Sequence, residues 1–228
     1  MEHMANQSNL SVWCKDFPED RMLERFGALL STVPFSPSRP GFTYFEARAV
    51  DATETPLLEQ DLRGMPLDTP GILGIAQDYL NSDTSFAVGG YWDLWTYDGD
   101  TAKWSLEPQP LEIFCHGELY DNETWREDGH FRVNFGFEHF FTGHAGLLGI
   151  RRTRRAPAEG PEEARLLEAM AWPENLRKYQ EKTSENIRKL LDWARRIETS
   201  AIPVHQIRLW SEGEENFEAR MEEILAAR

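Results

Sequence analysis

The sequence predicts an α+β fold in which helices pack on one face of an antiparallel sheet. Two patterns carry this prediction. Residues 85–141 alternate apolar and polar side chains in consecutive runs, which is typical of β-strands that follow one another in a meander. Residues 173–198 repeat apolar side chains at the spacing of an amphipathic helix. Shorter segments of both kinds flank them, so we expect an N-terminal βαβ unit and a C-terminal helix–strand–helix unit.

The N-terminal βαβ unit is indicated by three short segments. LSVWC, at 10–14, is apolar enough for a buried strand. Pro18 and the two acids after it favour a helix start, and apolar residues recur at helical spacing from 22 to 30. The aromatic-rich run at 42–50 predicts the second strand. Residues 56–80 indicate one or two helical pieces, broken around RGMPLDTPG.

The meander begins with the clearest local signal in the chain. The segment 85–108 alternates up to Asp98-Gly99, a dipeptide typical of a tight hairpin turn. The runs 110–120 and 130–141 predict two further strands, so we expect at least four strands over 85–141. Because successive side chains of a strand point to opposite faces, the last strand has one apolar face. This face carries Phe131, Val133, Phe135, Phe137, His139 and Phe141.

The predicted C-terminal part begins after a stretch rich in Gly, Pro and Arg at 149–163. This stretch contains RRTRR. We expect it to be a linker whose arginines form ion pairs with the acidic remainder of the chain. Helix 173–198 then carries an apolar stripe from Leu176 to Ile197, and a strand at 204–210 and a helix at 214–228 follow. Both ends of the chain run from a strand near Trp into an acidic turn and a helix, which leaves an internal repeat open beside a generic strand-to-helix turn.

These patterns divide the chain into an acidic α+β body at 11–148 and a helical part at 164–228. We expect the two to pack as a single compact domain, because the apolar stripe of the long helix needs an apolar face to cover. The first ten residues are polar, and we expect them to be disordered or left over from cloning.

The charge distribution constrains the partners. The formal net charge is −15, and residues 1–150 hold 24 acidic and 9 basic residues. Such a field repels phosphate backbones and attracts basic surfaces, so we expect no nucleic-acid binding and a protein partner with a basic surface. Acidity that only keeps the protein soluble is the alternative.

The composition also bears on location. No apolar run approaches the roughly 20 residues that cross a bilayer, and the polar N-terminus lacks the apolar centre of a signal peptide. Cys14 and Cys115 stand far apart without metal-binding spacing, as expected for reduced thiols. We therefore expect a cytoplasmic protein with no membrane association.

No motif assigns a reaction or a cofactor. The nucleophile elbow, the phosphate loop, the dinucleotide fingerprint and HExxH are absent from the sequence. HGE at 116–118 matches half of a zinc-deaminase motif, but no PCxxC follows. His139 and His144 could form a ligand pair, but a hydrogen-bonded core histidine is the favoured interpretation of His139. We therefore expect no metal, no cofactor and no catalytic residue.

The candidate binding surface follows from the parity of two predicted strands. If 110–120 and 130–141 are neighbours, their outward faces combine ionisable and aromatic side chains, which resembles a recognition surface and also resembles a solvated sheet face. The candidates are Glu112, Phe114, His116, Glu118 and Tyr120 from the first strand, Trp125 from the loop, and Arg132, Asn134 and Glu138 from the second strand.

Three functions remain open at this stage. The first is a non-enzymatic binding protein, such as an immunity or inhibitor protein that neutralises a basic partner. The second is a subunit or scaffold that assembles through its C-terminal helices. The third is a small-molecule hydrolase centred on His116 and Glu118, which could act as general acid and base. The absence of a catalytic motif favours a protein that is not an enzyme.

Overall fold

The protein is described by a computed structural model that covers residues 6–99, 101, 103–144, 146–148 and 160–227. The strands are β1 (Gln7–Cys14), β2 (Tyr44–Ala49), β3 (Leu58–Asp61), β4 (Thr84–Asp98), β5 (Lys103–His116), β6 (Phe131–Phe137) and β7 (Val204–Ser211). The helices are α1 (Glu19–Leu30), α2 (Thr69–Ala76), α3 (Trp125–Asp128), α4 (His139–Thr142), α5 (Pro161–Ala169), α6 (Pro173–Glu198) and α7 (Phe217–Ala226). The strands form one antiparallel sheet in the order β3-β2-β4-β5-β6-β1-β7. The predicted α+β class and the meander β4-β5-β6 are confirmed.

The meander contains three strands where the sequence indicated four. The returning strand of the hairpin and the run 110–120 form one strand, β5, which continues through Pro108 and Pro110. In the described register β6 pairs with β5 from Glu112 to Cys115, so both prolines lie on a stretch that pairs with β4 alone. Proline has no N–H to donate to a neighbouring strand. On the unpaired edge of β5 no such hydrogen bond is needed, so the two prolines do not end the strand.

The N-terminal strand is longer and lies elsewhere than expected. β1 begins at Gln7, so residues 7–10 belong to the sheet and the prediction of a disordered segment is wrong for them. Strand, helix and strand follow in the predicted order, but β1 lies between β6 and β7, whereas β2 lies between β3 and β4. The two terminal strand–helix units are neighbours, because β1 and β7 pair directly.

The segment 56–80 is only partly helical. Residues 58–61 form the edge strand β3, which pairs with β2, and the helix α2 begins at Thr69. Asp68 caps this helix, since its side chain accepts a hydrogen bond from the amide of Gly71 at 3.0 Å. Of the one or two helical pieces predicted over 56–80, only the part from Thr69 onwards is helical, because residues 58–61 pair with β2 as an edge strand.

One face of the sheet, which we call the inner face, packs against the helices. Phe26 of α1 stacks between Phe86 and Phe131, with ring centroids 6.1 and 6.3 Å away. Trp92 on the same face meets Trp193 of α6 at 5.6 Å. The helix 173–198 has its predicted bounds, and its apolar stripe is buried against this core.

The end of β6 departs from simple alternation. Ser8 faces Gly136 and Asn9 faces Asn134, so Phe135 is an additional residue that forms a bulge. Beyond the bulge, each residue lies on the opposite face of the sheet from the one that simple alternation predicts. Phe137 is therefore half-buried on the face opposite to its predicted one.

The strand ends at Phe137, and the predicted continuation to residue 141 is wrong. His139 and Phe141 lie in the short helix α4. Phe141 still reaches the core, where its ring stacks near Trp92 at 6.2 Å, but it does so from a helix. The ring of His139 lies 4.3 Å from that of His144 at an interplanar angle of 32°, and burial lowers the pKa of His139 to about 3.

Part of the predicted linker lies outside the described residues, including RRTRR at 151–155. Where the chain is described again, Pro161 starts α5. Among the described helices, none is long and apolar enough to cross a membrane.

Candidate functional site

The second face of the sheet, which we call the outer face, carries four of the predicted surface residues side by side. β5 and β6 are neighbours, as the prediction of this surface required. Glu112 faces Asn134 across the two strands, and Phe114 faces Arg132. These four side chains point to the same side because residues directly opposite in a ladder share a face.

Arg132 is held flat against this surface. Its guanidinium carbon lies 4.6 Å from the ring centroid of Phe114, and its Nη1 donates to the carboxylate of Asp128 at 2.8 Å. The stacking and the ion pair hold the guanidinium in one orientation. This arginine is therefore occupied by intramolecular partners.

Glu112 has a different environment. Loss of hydration beside the sheet raises its pKa, with Arg132 opposing and Glu46 adding to the shift. Its side chain is nevertheless exposed at the surface. A carboxylate that is incompletely hydrated and still accessible favours a cationic occupant.

His116 is not part of an exposed surface, contrary to the prediction. It is 5% exposed, and its ring stacks between Phe114 and Tyr120 with interplanar angles of 12° and 8°. Its Nδ1 lies 3.0 Å from the hydroxyl of Ser85. Burial, together with the nearby charges of Arg132 and His130, lowers its pKa to about 3.

Tyr120 is buried too, since the chain turns back after Gly117 and brings its ring over His116. Gly117 is required at this turn because a Cβ there would lie 2.3 Å from the carbonyl oxygen of Ser82. The alternation of residues along the strand could not predict that the loop places the ring of Tyr120 over His116.

His130, which directly precedes β6, is a further histidine at this end of the sheet. It is buried, its ring stacks on Trp125 at 4.4 Å, and its Nδ1 accepts the amide hydrogen of Cys14 at 3.0 Å. Burial and the nearby Arg25 lower its pKa to about 4. Trp125 thus covers a histidine at the end of the sheet, and its indole donates to the carbonyl of Glu118.

The two remaining predicted residues are not positioned with this group. Glu118 lies beyond the end of β5 with an exposed side chain. Glu138 precedes α4 and accepts a hydrogen bond from Ser211 at the other end of the sheet. The structure therefore brings together Glu112, Phe114, Arg132 and Asn134, with His116 and Tyr120 buried beside them.

A groove on the outer face, which the sequence did not reveal, adjoins Glu112 and Asn134. It encloses about 580 Å³ and crosses the sheet from β3 to β1. Its lining lies in strands and in the turns beside them, and no described helix contributes to it. The lining residues are Gln7, Thr43, Tyr44, Glu59, Asp61, Arg63, Gly89, Gly90, Tyr91, Gln109, Pro110, Leu111, Glu112, Asn134, Gly136 and Phe137.

The groove contains both carboxylates and aromatic rings. The Tyr44 hydroxyl donates to Glu46 at 2.7 Å, and its pKa is raised by burial and by the carboxylates of Glu46 and Glu59. Asp61 accepts hydrogen bonds from the backbone amide, Nε and Nη2 of Arg63. The sequence signal for this groove was the Gly-Gly pair within an alternating strand. Glycine within a strand often marks a place where another group comes close to the backbone.

The catalytic possibilities of the site are limited. Ser85 and His116 form a serine–histidine pair, but among the described residues no carboxylate is bonded to the second nitrogen of this imidazole. A base with a pKa of about 3 is also a weak acceptor for the serine proton at neutral pH. Within the described part of the chain, no group of three or more His, Cys, Asp and Glu residues could hold a metal ion.

The cysteines offer no reactive thiol. Both are free and buried. Burial raises the pKa of Cys14 to about 12 and that of Cys115 well above its usual value. Because the thiolate is the nucleophilic form, neither position favours cysteine chemistry.

Comparison with known proteins adds no family to this geometry. No family model, no curated protein and no solved structure matches the chain. The outer face and its groove are therefore the features of the molecule that bear on its function.

Proposed function

We propose that the protein is a non-enzymatic binding protein that docks a partner with a basic surface onto the outer face of its sheet. One observation carries the proposal: the outer face contains a groove of about 580 Å³ in which the carboxylates of Glu59 and Glu112 lie among aromatic rings. A protein that neutralises a basic partner, as immunity and inhibitor proteins do, would need such a surface.

The charge of the whole chain supports a basic partner. The net charge of −15 would attract a cationic protein over distances of about 8–10 Å at physiological salt, which is the screening length. Affinity would come from a few desolvated contacts, for which Phe114 and the rings of the groove are the anchors.

The hydrolase alternative has less support. His116 is buried and Glu118 is exposed beyond the strand end, so the two residues do not share one accessible site. General acid–base catalysis needs both groups within reach of one substrate.

The assembly-subunit alternative keeps one favourable observation. Trp172, which precedes α6, is 69% exposed. A large exposed aromatic side chain is common at protein interfaces. This alternative predicts an interface on the C-terminal helices and not on the sheet.

The two interfaces can be distinguished with charge-matched variants. E59K/E112K reverses two carboxylates of the groove, and E198K/E222K reverses two exposed carboxylates on α6 and α7. Both variants change the net charge equally, so both should slow association with a basic partner to a similar degree. The partner is captured with tagged wild-type protein, purified, and measured by surface plasmon resonance at several salt concentrations.

We expect E59K/E112K to weaken binding at least about tenfold more than E198K/E222K, mainly through faster dissociation, because only the groove pair would lose close contacts. Association with the wild type should slow as salt is added. If the helix pair has the larger effect, the assembly-subunit function replaces this proposal. A captured partner without a basic surface would also contradict it.

A further inference from the structure

The centre of the groove is a cross-strand row with a gap in the middle. Asp61 faces Tyr44, Tyr44 faces Gly89, Gly89 faces Glu112, and Glu112 faces Asn134. Gly89 carries no side chain. Since neighbouring strands lie about 4.8 Å apart, the backbones of Tyr44 and Glu112 are roughly 10 Å apart across this gap.

The gap is bounded on one side by the next row of side chains, and the groove extends beyond it at both ends. Tyr91 and Pro110 form the next row along the same two strands. Beyond β5 the groove continues past Asn134 to Phe137. A volume of about 580 Å³ lies within the range of ligand sites and can hold more than the end of one side chain. This shape suits an extended segment that crosses the strands.

The chemistry around the gap favours a cation. Glu112 flanks it on one side, and Glu59 lies at the β3 end of the groove. Among the described lining residues Arg63 is the one cationic side chain, and its Nε and Nη2 donate to the two carboxylate oxygens of Asp61. The ring of Tyr44 adds a face on which a cation is attracted.

A planar guanidinium fits this setting better than a compact ammonium. It can stack on a ring while its N–H groups reach a carboxylate or an amide oxygen. The outer face already holds guanidinium groups over its aromatic rings. Arg39 lies 4.6 Å from the ring centroid of Tyr91, and Arg132 lies 4.6 Å from that of Phe114.

We infer that the groove seats an arginine side chain from an extended segment of the partner protein, with its guanidinium above Gly89 between Glu112 and Tyr44. The inference rests on the proposed function and specifies the residue that the partner contributes. It commits to a protein segment, because the groove continues on both sides of the gap and would hold the chain that carries the arginine.

The direct test uses peptides as probes. Acetyl-Gly-Arg-Gly-Arg-Gly-amide is titrated into the full-length protein and followed by amide chemical shifts. We expect the largest shifts at Gly89, Glu112 and Asn134. The same peptide with citrulline, the neutral isostere of arginine, should bind at least about tenfold more weakly, and so should free L-arginine.

Two variants test the gap by different means. Gly89→Val fills it, although the new Cβ would lie 3.1 Å from Cβ of Tyr44 and requires a small adjustment. Glu112→Gln removes the charge without changing the shape, so it also covers the case in which Gly89→Val does not fold. Each should weaken the arginine peptide at least about tenfold. Gly74→Ala, in open space on α2, and Glu118→Gln, beyond the strand end, are the controls and should change binding less than twofold.

The results separate this inference from the proposed function. If E59K/E112K weakens the natural partner but Gly89→Val and Glu112→Gln leave the peptide and the partner unaffected, the partner docks on the face without an arginine in the gap. If the peptide binds in the gap but E59K/E112K leaves the partner unaffected, the proposed function is wrong. Equal binding of citrulline and arginine peptides, or of free L-arginine and the peptide, would overturn the inference.

Discussion

Two adjacent residues of β4, Tyr91 and Trp92, show how differently the two faces of the sheet are built. Trp92 is 0% exposed, its ring lies near Trp193 and Phe141, and its indole N–H donates to the carbonyl of Phe135 at 3.0 Å. Tyr91 is half-buried and lines the groove. One peptide bond separates a residue enclosed by helices from one that faces an open groove.

The polar contacts differ in the same way. Charged groups of the outer face form local ion pairs, such as Arg48 with Glu46 and Arg132 with Asp128. Ion pairs of this kind contribute about 0–1 kcal/mol each when solvent reaches them. The inner face derives its stability from enclosed rings. We therefore expect substitutions on the outer face to affect folding less than substitutions on the inner face.

The largest effect should come from Trp92→Ala. Removing a fully buried indole should lower the free energy of unfolding by about 3–5 kcal/mol, because it leaves a cavity under α6. Tyr91→Ala is the matched control on the next residue and should cost less than about 1.5 kcal/mol. Urea unfolding followed by circular dichroism measures both. Equal losses would mean that the outer face is also part of the stabilising core.

Acid should destabilise the protein through its buried histidines. The pKa values of His116 and His130 fall from 6.5 to about 3 and about 4 through burial, so the folded state keeps both neutral while the unfolded chain gains protons. Stability contributed by these groups is present above pH 6.5 and is lost as the pH falls towards 4, by up to about 1.4 kcal/mol per pH unit for each group.

His116→Phe keeps a flat ring between Phe114 and Tyr120 and removes one of the buried histidines whose pKa is lowered in the folded state. The slope of unfolding free energy against pH between 6.5 and 4 should therefore be shallower than in the wild type. Gln206→Ala, at an exposed position of β7, is the control for the substitution itself and should keep the wild-type slope. An unchanged slope in His116→Phe would show that this histidine is accessible to protons in the folded state.

A smaller effect is expected where a buried amide joins a helix to the sheet. Asn186 of α6 accepts from the amide of Trp95 at 2.8 Å and donates to the carbonyls of Trp95 and Phe140. Asn186→Ala leaves these backbone groups without their partner and should cost about 1–3 kcal/mol. Arg188→Ala, on the exposed side of the same helix, should stay within about 0.5 kcal/mol in the same urea titration. A comparable loss in both would mean that the buried amide contributes no more than an exposed side chain of the same helix.

The smallest effect should come from Glu112→Gln on the outer face. Loss of hydration raises the pKa of this carboxyl, so its charged form is disfavoured by folding at neutral pH. Replacing it by a neutral amide should leave stability unchanged or raise it by less than about 0.5 kcal/mol. A loss of more than 1 kcal/mol in thermal or urea unfolding would mean that Glu112 supports the fold and is not available to a partner.

The inner face could be predicted from the sequence because its signals are periodic. The apolar spacing of residues 173–198 gave the bounds of α6, and the alternation of 110–120 and 130–141 correctly indicated two neighbouring strands with a common outer face. The deviations have local causes. The bulge at Phe135 reversed the side of Phe137, and prolines on the free side of β5 concealed its continuity.

The candidate site was predicted only in part. Glu112, Phe114, Arg132 and Asn134 share the outer face as parity indicated, but Tyr120 returns from a loop and buries His116. The groove could not be predicted, because it depends on the order of strands. Tyr44 and Glu112 become its two sides only when β4 lies between β2 and β5, and strand order has no signature in the alternation of residues.

The position of β1 has a consequence for how the chain reaches its native state. This strand is enclosed by β6 on one side and β7 on the other, and Trp210 donates to the hydroxyl of Ser11 across 199 positions of sequence. Pairings between such distant segments form slowly, since a long loop must close before any contact stabilises it. Until residues 204–211 dock, one edge of β1 stays available to other chains. Refolding yield should therefore fall as protein concentration rises, with intermolecular strand pairing at β1 as the competing reaction.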